Sequence, residues 1–142
     1  WEEISLARPT DGGRNYGWSI LEGTHSYSGG ATAGLTPPVL EYGHGTGAFQ
    51  GNSITGGYVY RGPLAALRGE YFFGDFINQR LWSIPVASLT QGQTATTFTD
   101  RKAQWTPNAG VIGMVVSFGE DDAGNLYVVD FDGEIYLIEE VE

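Results

Sequence analysis

The chain has 142 residues, 41 % of them hydrophobic and 13 % aromatic, so it can bury a modest core and is not the low-hydrophobicity kind of sequence that stays disordered. Seventeen acidic residues against six Arg and one Lys give a formal net charge of -10, which leaves little from which to build a phosphate-tracking surface and argues against nucleic acid as a partner. Zero Cys excludes disulfides, thiolate zinc sites and cysteine nucleophiles, and no apolar run approaches the ~20 residues that span a bilayer.

Twenty-two Gly residues and no convincing helical periodicity point to strands joined by turns. In chain order, Glu3-Ile4-Ser5-Leu6 alternates, and Asn15 to Trp18 follows a Thr10-Asp11-Gly12-Gly13 turn. From Ser19 to Gly51 runs a Gly/Ser/Thr/Pro-rich stretch with one strand candidate, Val39 to Tyr42. A loop of that length inside a compact domain is expected to be functional or anchored by a metal or partner. The best helical segment, Pro63 to Leu67, is stopped by Gly69 and predicts at most one turn.

The pattern then becomes regular. Ser53 to Tyr60, Glu70 to Phe76, Arg80 to Pro85 and Ala95 to Thr99 read as four short strands, the rhythm of one propeller blade. Gly113 to Phe118, Asn125 to Asp130 and Glu134 to Ile138 supply three more. The fold expected is all-β, part of a propeller with about two and a half four-stranded blades, the last lacking its fourth strand. Residues 1–52 would be the end of one blade plus the long loop, 53–102 one complete blade and 103–142 the incomplete last blade. Trp1 is not a natural start, and such a fragment is expected to self-associate or to pair with a missing N-terminal part of the ring.

Several segments carry a family likeness: Trp1-Glu2-Glu3-Ile4, Asn15-Tyr16-Gly17-Trp18 with Glu22-Gly23, Tyr42 and His44, Ser53 to Gly62, Gly69 to Phe76, and Ser117-Phe118-Gly119-Glu120-Asp121. In this order they resemble the C-terminal portion of the glucose/sorbosone dehydrogenase family, whose relatives include soluble quinoprotein sugar dehydrogenases and hedgehog-interacting-protein-like propellers. The resemblance implies a six-bladed β-propeller, periplasmic or extracellular, that binds pyrroloquinoline quinone (PQQ) and calcium and oxidises an aldose C1 hydroxyl to the lactone, passing electrons to an acceptor. A His base would take the hydroxyl proton while hydride passes to the quinone. That His is implied to lie upstream of Trp1, so neither His25 nor His44 is assigned to catalysis.

Carried over residue by residue, the resemblance implies that Arg61, in Tyr58-Val59-Tyr60-Arg61-Gly62, is the cation set against the quinone. A guanidinium there can grip a carboxylate or stabilise the electron-rich reduced cofactor. It also implies a calcium site from the Glu3 carboxylate, the Tyr16 carbonyl and an oxygen of Glu22, the carboxylate-and-carbonyl donor set that Ca²⁺ prefers. Dehydrogenases of the family carry an Arg-rich segment before the strand matching Val115 to Phe118, whereas Asn108 to Met114 has no Arg here and Arg101 and Lys102 lie earlier.

Two acidic runs, Glu120 to Asn125 and Asp130 to Glu134, lack EF-hand spacing and read as hairpin turns. Trp18, Tyr71, Phe72, Phe73 and Trp82 read as packing between blades. No Gly-x-Ser-x-Gly elbow, His-Glu-x-x-His or P-loop is present. Two functions therefore stand side by side: a PQQ-dependent sugar dehydrogenase, and a non-enzymatic propeller that binds a protein or glycan.

Overall fold

The computed structural model describes residues 1–139 and is all-β, with two 3₁₀ turns at Ala65–Leu67 and Val86–Ser88. Strands β1 (Glu2–Ile4) and β4 (Leu40–Tyr42) pair antiparallel, and β2 (Leu21–Glu22) with β3 (His25–Ser26) forms a small hairpin between them. A four-stranded meander follows: β5 (Ile54–Thr55), β6 (Glu70–Asp75), β7 (Arg80–Pro85) and β8 (Thr99–Asp100). Then β9 (Val115–Glu120), β10 (Leu126–Asp130) and β11 (Ile135–Leu137) make a three-stranded meander. This is the architecture of part of a β-propeller, a series of small antiparallel sheets packed face to face.

Side-chain alternation explains the packing. Along β6 and β7 successive residues point to opposite faces, and both faces are buried. Phe72 and Leu81 join one core cluster, with Tyr60, Val115, Phe118 and Val128. Their neighbours Phe73 and Trp82 join the other, with Leu40, Tyr42 and Ile84. The middle sheet is thus covered by the β1–β4 pair on one side and the three-stranded sheet on the other. Each fully buried Phe or Leu side chain contributes roughly 1.5–3 kcal/mol relative to exposure. The leading strands of the last two sheets also touch, the Thr55 hydroxyl donating to the Val115 carbonyl at 2.9 Å.

Two aspartates repeat at the ends of β6 and β10. Asp75, wholly buried, accepts the Asn52, Ser53 and Asn78 N–H groups and the Tyr42 hydroxyl. Asp130 likewise accepts the Gly113 N–H, just ahead of β9, and the Asp132 N–H. Each ties the chain entering its sheet to the second strand of that sheet. The residues that follow, Phe76 and Phe131, meet edge to face at 5.7 Å.

The strands differ from the sequence reading in four places. Asn15 to Trp18 is a turn, closed by the Gly17 N–H on Asn15 Oδ1 with Gly17 at φ 103. The long loop contains the β2–β3 hairpin, turned by Gly23 at φ 62 and too short to show alternation. The expected Ser53 to Tyr60 strand is β5 followed, beyond Gly56-Gly57, by a lone Val59–Tyr71 bridge. The fourth strand of the middle sheet lies at Thr99–Asp100 rather than Ala95 to Thr99, because Ala95 exchanges backbone hydrogen bonds with Val39 and Glu41. The end of the 103–142 segment, residues 140–142, lies outside the described residues.

Candidate functional site

Arg61 sits on the β5–β6 connection, and its geometry starts with Tyr60. That residue is buried, its N–H donates to the Glu70 carbonyl and its carbonyl accepts the Gly69 N–H, while its hydroxyl accepts the Leu64 N–H. With Tyr60 fixed inward, the next side chain points outward: Arg61 is 65 % exposed. Its Nη1 lies 3.4 Å from Glu120 Oε2, at the end of β9.

Two glycines hold these connections together. A Cβ on Gly62 would lie 2.6 Å from the Gly124 carbonyl, and one on Gly124 would lie 2.9 Å from the Arg61 carbonyl carbon, so neither position has room for a side chain. Arg68 folds back to donate from Nε to the Gly62 carbonyl at 2.9 Å. The neighbouring Asp121 is occupied within its own turn, accepting from the Ala123 and Asn125 N–H groups, the Asn125 amide and the Tyr127 hydroxyl. Those hydrogen bonds, the Asn125 amide first, hold the Asp121 carboxyl below the usual carboxylate range. Asp121 is a turn residue, as its spacing suggested, and Glu120 is the acid that meets Arg61.

Arg101 is not a second free cation. Its Nε donates to the Ser83 hydroxyl at 2.8 Å, its Nη2 is 3.3 Å from Glu70 Oε2, and its Nη1 donates to Gln104. The guanidinium lies over the rings of Phe72 and Trp105. Burial holds the Lys102 ammonium below the usual lysine range, with Asp130 opposing that effect. Arg61 is an exposed guanidinium with one long ion pair, open to an anion, and residues 108–114 supply no arginine partner for it.

The residues expected to hold calcium divide. Glu3 and Glu22 converge on the β2–β3 hairpin: Glu3 accepts the Gly23 N–H at 3.0 Å, and Glu22 ends β2 opposite His25. Tyr16, whose carbonyl oxygen is the expected ligand, lies in the turn ahead of β2.

The sequence reading missed Glu41. It lies opposite Glu3 in the β1–β4 register, is buried, and accepts the Thr24 N–H and hydroxyl, with His25 Nε2 at 3.3 Å. Burial, reinforced by the charge of Glu41, pushes the Glu3 carboxyl up despite the Gly23 hydrogen bond. Glu3 and Glu41 are the acids that repel one another, and carboxylate oxygens of this kind are what a hard cation takes. Among the described residues no three His, Asp or Glu side chains are grouped to hold a metal by themselves.

Of the aromatics read as packing, Phe72, Phe73 and Trp82 are buried between sheets and Tyr71 packs at the margin. Trp18 is the exception, 70 % exposed and lying against Tyr27 at 4.8 Å. The Gly17 turn carries it outward, away from the sheet faces.

Fold and site together define a propeller-type, all-β chain with Arg61 facing solvent where two adjacent sheets meet. Among curated proteins it is similar to the HIPL1 protein of Arabidopsis thaliana, 31 % identical over a gapped alignment of 155 positions that covers 94 % of this chain and 22 % of that protein. The chain therefore spans about a fifth of the length of that relative. No family model matches it. No solved structure matches it. Among the described residues no helix is long and apolar enough to cross a membrane.

Proposed function

We propose that the chain is the C-terminal part of a six-bladed, periplasmic or extracellular propeller that oxidises an aldose at C1 to the lactone with PQQ and calcium. The observation that supports this reading is Arg61: a guanidinium turned to solvent by a buried Tyr60 and held by a single carboxylate. PQQ, when bound, supplies the hydride acceptor. Arg61 binds its negative charge, by a bidentate grip on a carboxylate or by a hydrogen bond to a quinone oxygen. Gly62 and Gly124 keep the two connections close enough for Arg61 to stay in place. Glu3 and Glu22 offer carboxylate oxygens to calcium beside the hairpin. The base that takes the sugar hydroxyl proton comes from another part of the polypeptide.

A second reading, a non-enzymatic propeller that binds a protein or glycan, is favoured by one observation. Residues 108–114 hold no arginine, and Arg101 is consumed by Glu70, Ser83 and Gln104. The two readings part on a titration of the full polypeptide with PQQ, with and without Ca²⁺, followed by dye reduction with an aldose. Saturable binding and turnover support the dehydrogenase; absence of binding at high PQQ and Ca²⁺ supports the binding module.

A further inference from the structure

We infer that Glu120 is the exchange partner of Arg61: the carboxylate that holds the guanidinium at the sheet junction until an anionic ligand displaces it. The inference rests on the reading that Arg61 receives the quinone.

Three observations support it. The pair is loose, one Nη1 to Oε2 approach of 3.4 Å rather than a bidentate fork, and Arg61 is largely exposed. A single, long, solvent-exposed ion pair is weak and can be exchanged. Glu120 has no competing duty in the turn beside it, because Asp121 makes that turn's carboxylate hydrogen bonds. The separation of the two backbones is fixed by the Gly62–Gly124 approach, so Glu120 stays within reach of Arg61 while the side chains move. Arg101 shows the contrast: its three donor nitrogens are each committed, and two aromatic rings lie beneath it.

Glu120 therefore acts on the ligand only through Arg61. Removing its charge frees the guanidinium, whereas shortening the side chain with the charge retained does not. The test is PQQ binding to the full polypeptide with Ca²⁺, followed by fluorescence, for wild type, E120Q, E120D, R61Q and the E120Q/R61Q pair. From the usual worth of exposed pairs, E120Q binds about two- to fivefold more tightly than wild type. E120D stays near wild type, and the E120Q gain disappears in the R61Q background. If wild type binds and R61Q weakens binding while E120Q leaves it unchanged or weaker, the exchange role is overturned and the quinone reading stands. If wild type does not bind PQQ, both fall together.

Discussion

Strands β6 and β10 carry nearly the same sequence pattern, Tyr71-Phe72-Phe73-Gly74-Asp75-Phe76 and Leu126-Tyr127-Val128-Val129-Asp130-Phe131, yet they are buried differently. In β6 the four residues Phe72 to Asp75 are all buried, whereas in β10 burial alternates, with Leu126, Val128 and Asp130 in and Tyr127 and Val129 half-exposed. The reason is what lies on either side. The middle sheet has a partner on both faces, and Phe98, just before β8, closes its outer end against Trp82 at 4.8 Å and Phe73 at 5.2 Å. The three-stranded sheet is covered on one face, and Ile135 on β11 is 65 % exposed. The same strand motif thus yields a two-sided or a one-sided sheet according to its neighbours, as strand sequences generally report burial rather than backbone preference.

The largest effect expected from this comparison is at Trp82, wholly buried in the middle sheet. In the 142-residue chain by itself, Trp82→Ala should cost about 3–5 kcal/mol in denaturant unfolding, and Ile135→Ala about 0.5 kcal/mol or less. Equal losses would mean that the two sheets are not packed as described. The repeated aspartates sharpen the point. Asp75 satisfies four donors and Asp130 two. Burial and the charge of Asp75 keep the Tyr42 phenol protonated and donating, far above its ordinary titration range. Asp75→Asn should therefore cost roughly 2–3 kcal/mol, and Asp130→Asn about half as much, since each buried donor left unpaired carries a penalty. Thermal melts of the two variants side by side measure the ratio.

A smaller effect belongs to the β1–β4 pair. The carboxyl of Glu3 titrates above its usual value, so the folded state holds that proton more tightly than the unfolded chain. As pH rises from 4.5 through the raised folded value, the native state gives up the proton against burial and Glu41, and stability falls. Glu3→Gln, which still offers an oxygen to the Gly23 N–H, should melt higher than wild type at neutral pH, and the gap should close below pH 4.5. If Glu3 is a calcium ligand, millimolar Ca²⁺ raises the wild-type melting temperature and leaves that of Glu3→Gln unchanged.

The fold was legible where apolar runs are long. Strands β6, β7, β9 and β10 fall where Phe72-Phe73, Leu81-Trp82, Val115-Val116 and Val128-Val129 put them, since each run buries at least one of its residues almost completely. The β2–β3 hairpin and β8 were not, being two residues each and defined by partners rather than by pattern. The site shows the same limit. Arg61 stood out through its motif, but its partner Glu120 lies 59 residues away and looks like any turn acid. Glu41 reads as a strand residue until the β1–β4 register sets it against Glu3. Arg101 looks like a spare cation until the middle sheet brings Glu70 and Ser83 beneath it.

The central claim is that Arg61 receives an anionic quinone while Arg101 serves the fold. It is tested most directly by titrating PQQ, with Ca²⁺ present, into the full polypeptide as wild type and as Arg61→Gln, with thermal melts of both. Wild type should bind saturably, Arg61→Gln should bind at least tenfold more weakly, and the two melting temperatures should coincide. Equal binding by the two proteins, or none by wild type, would contradict it.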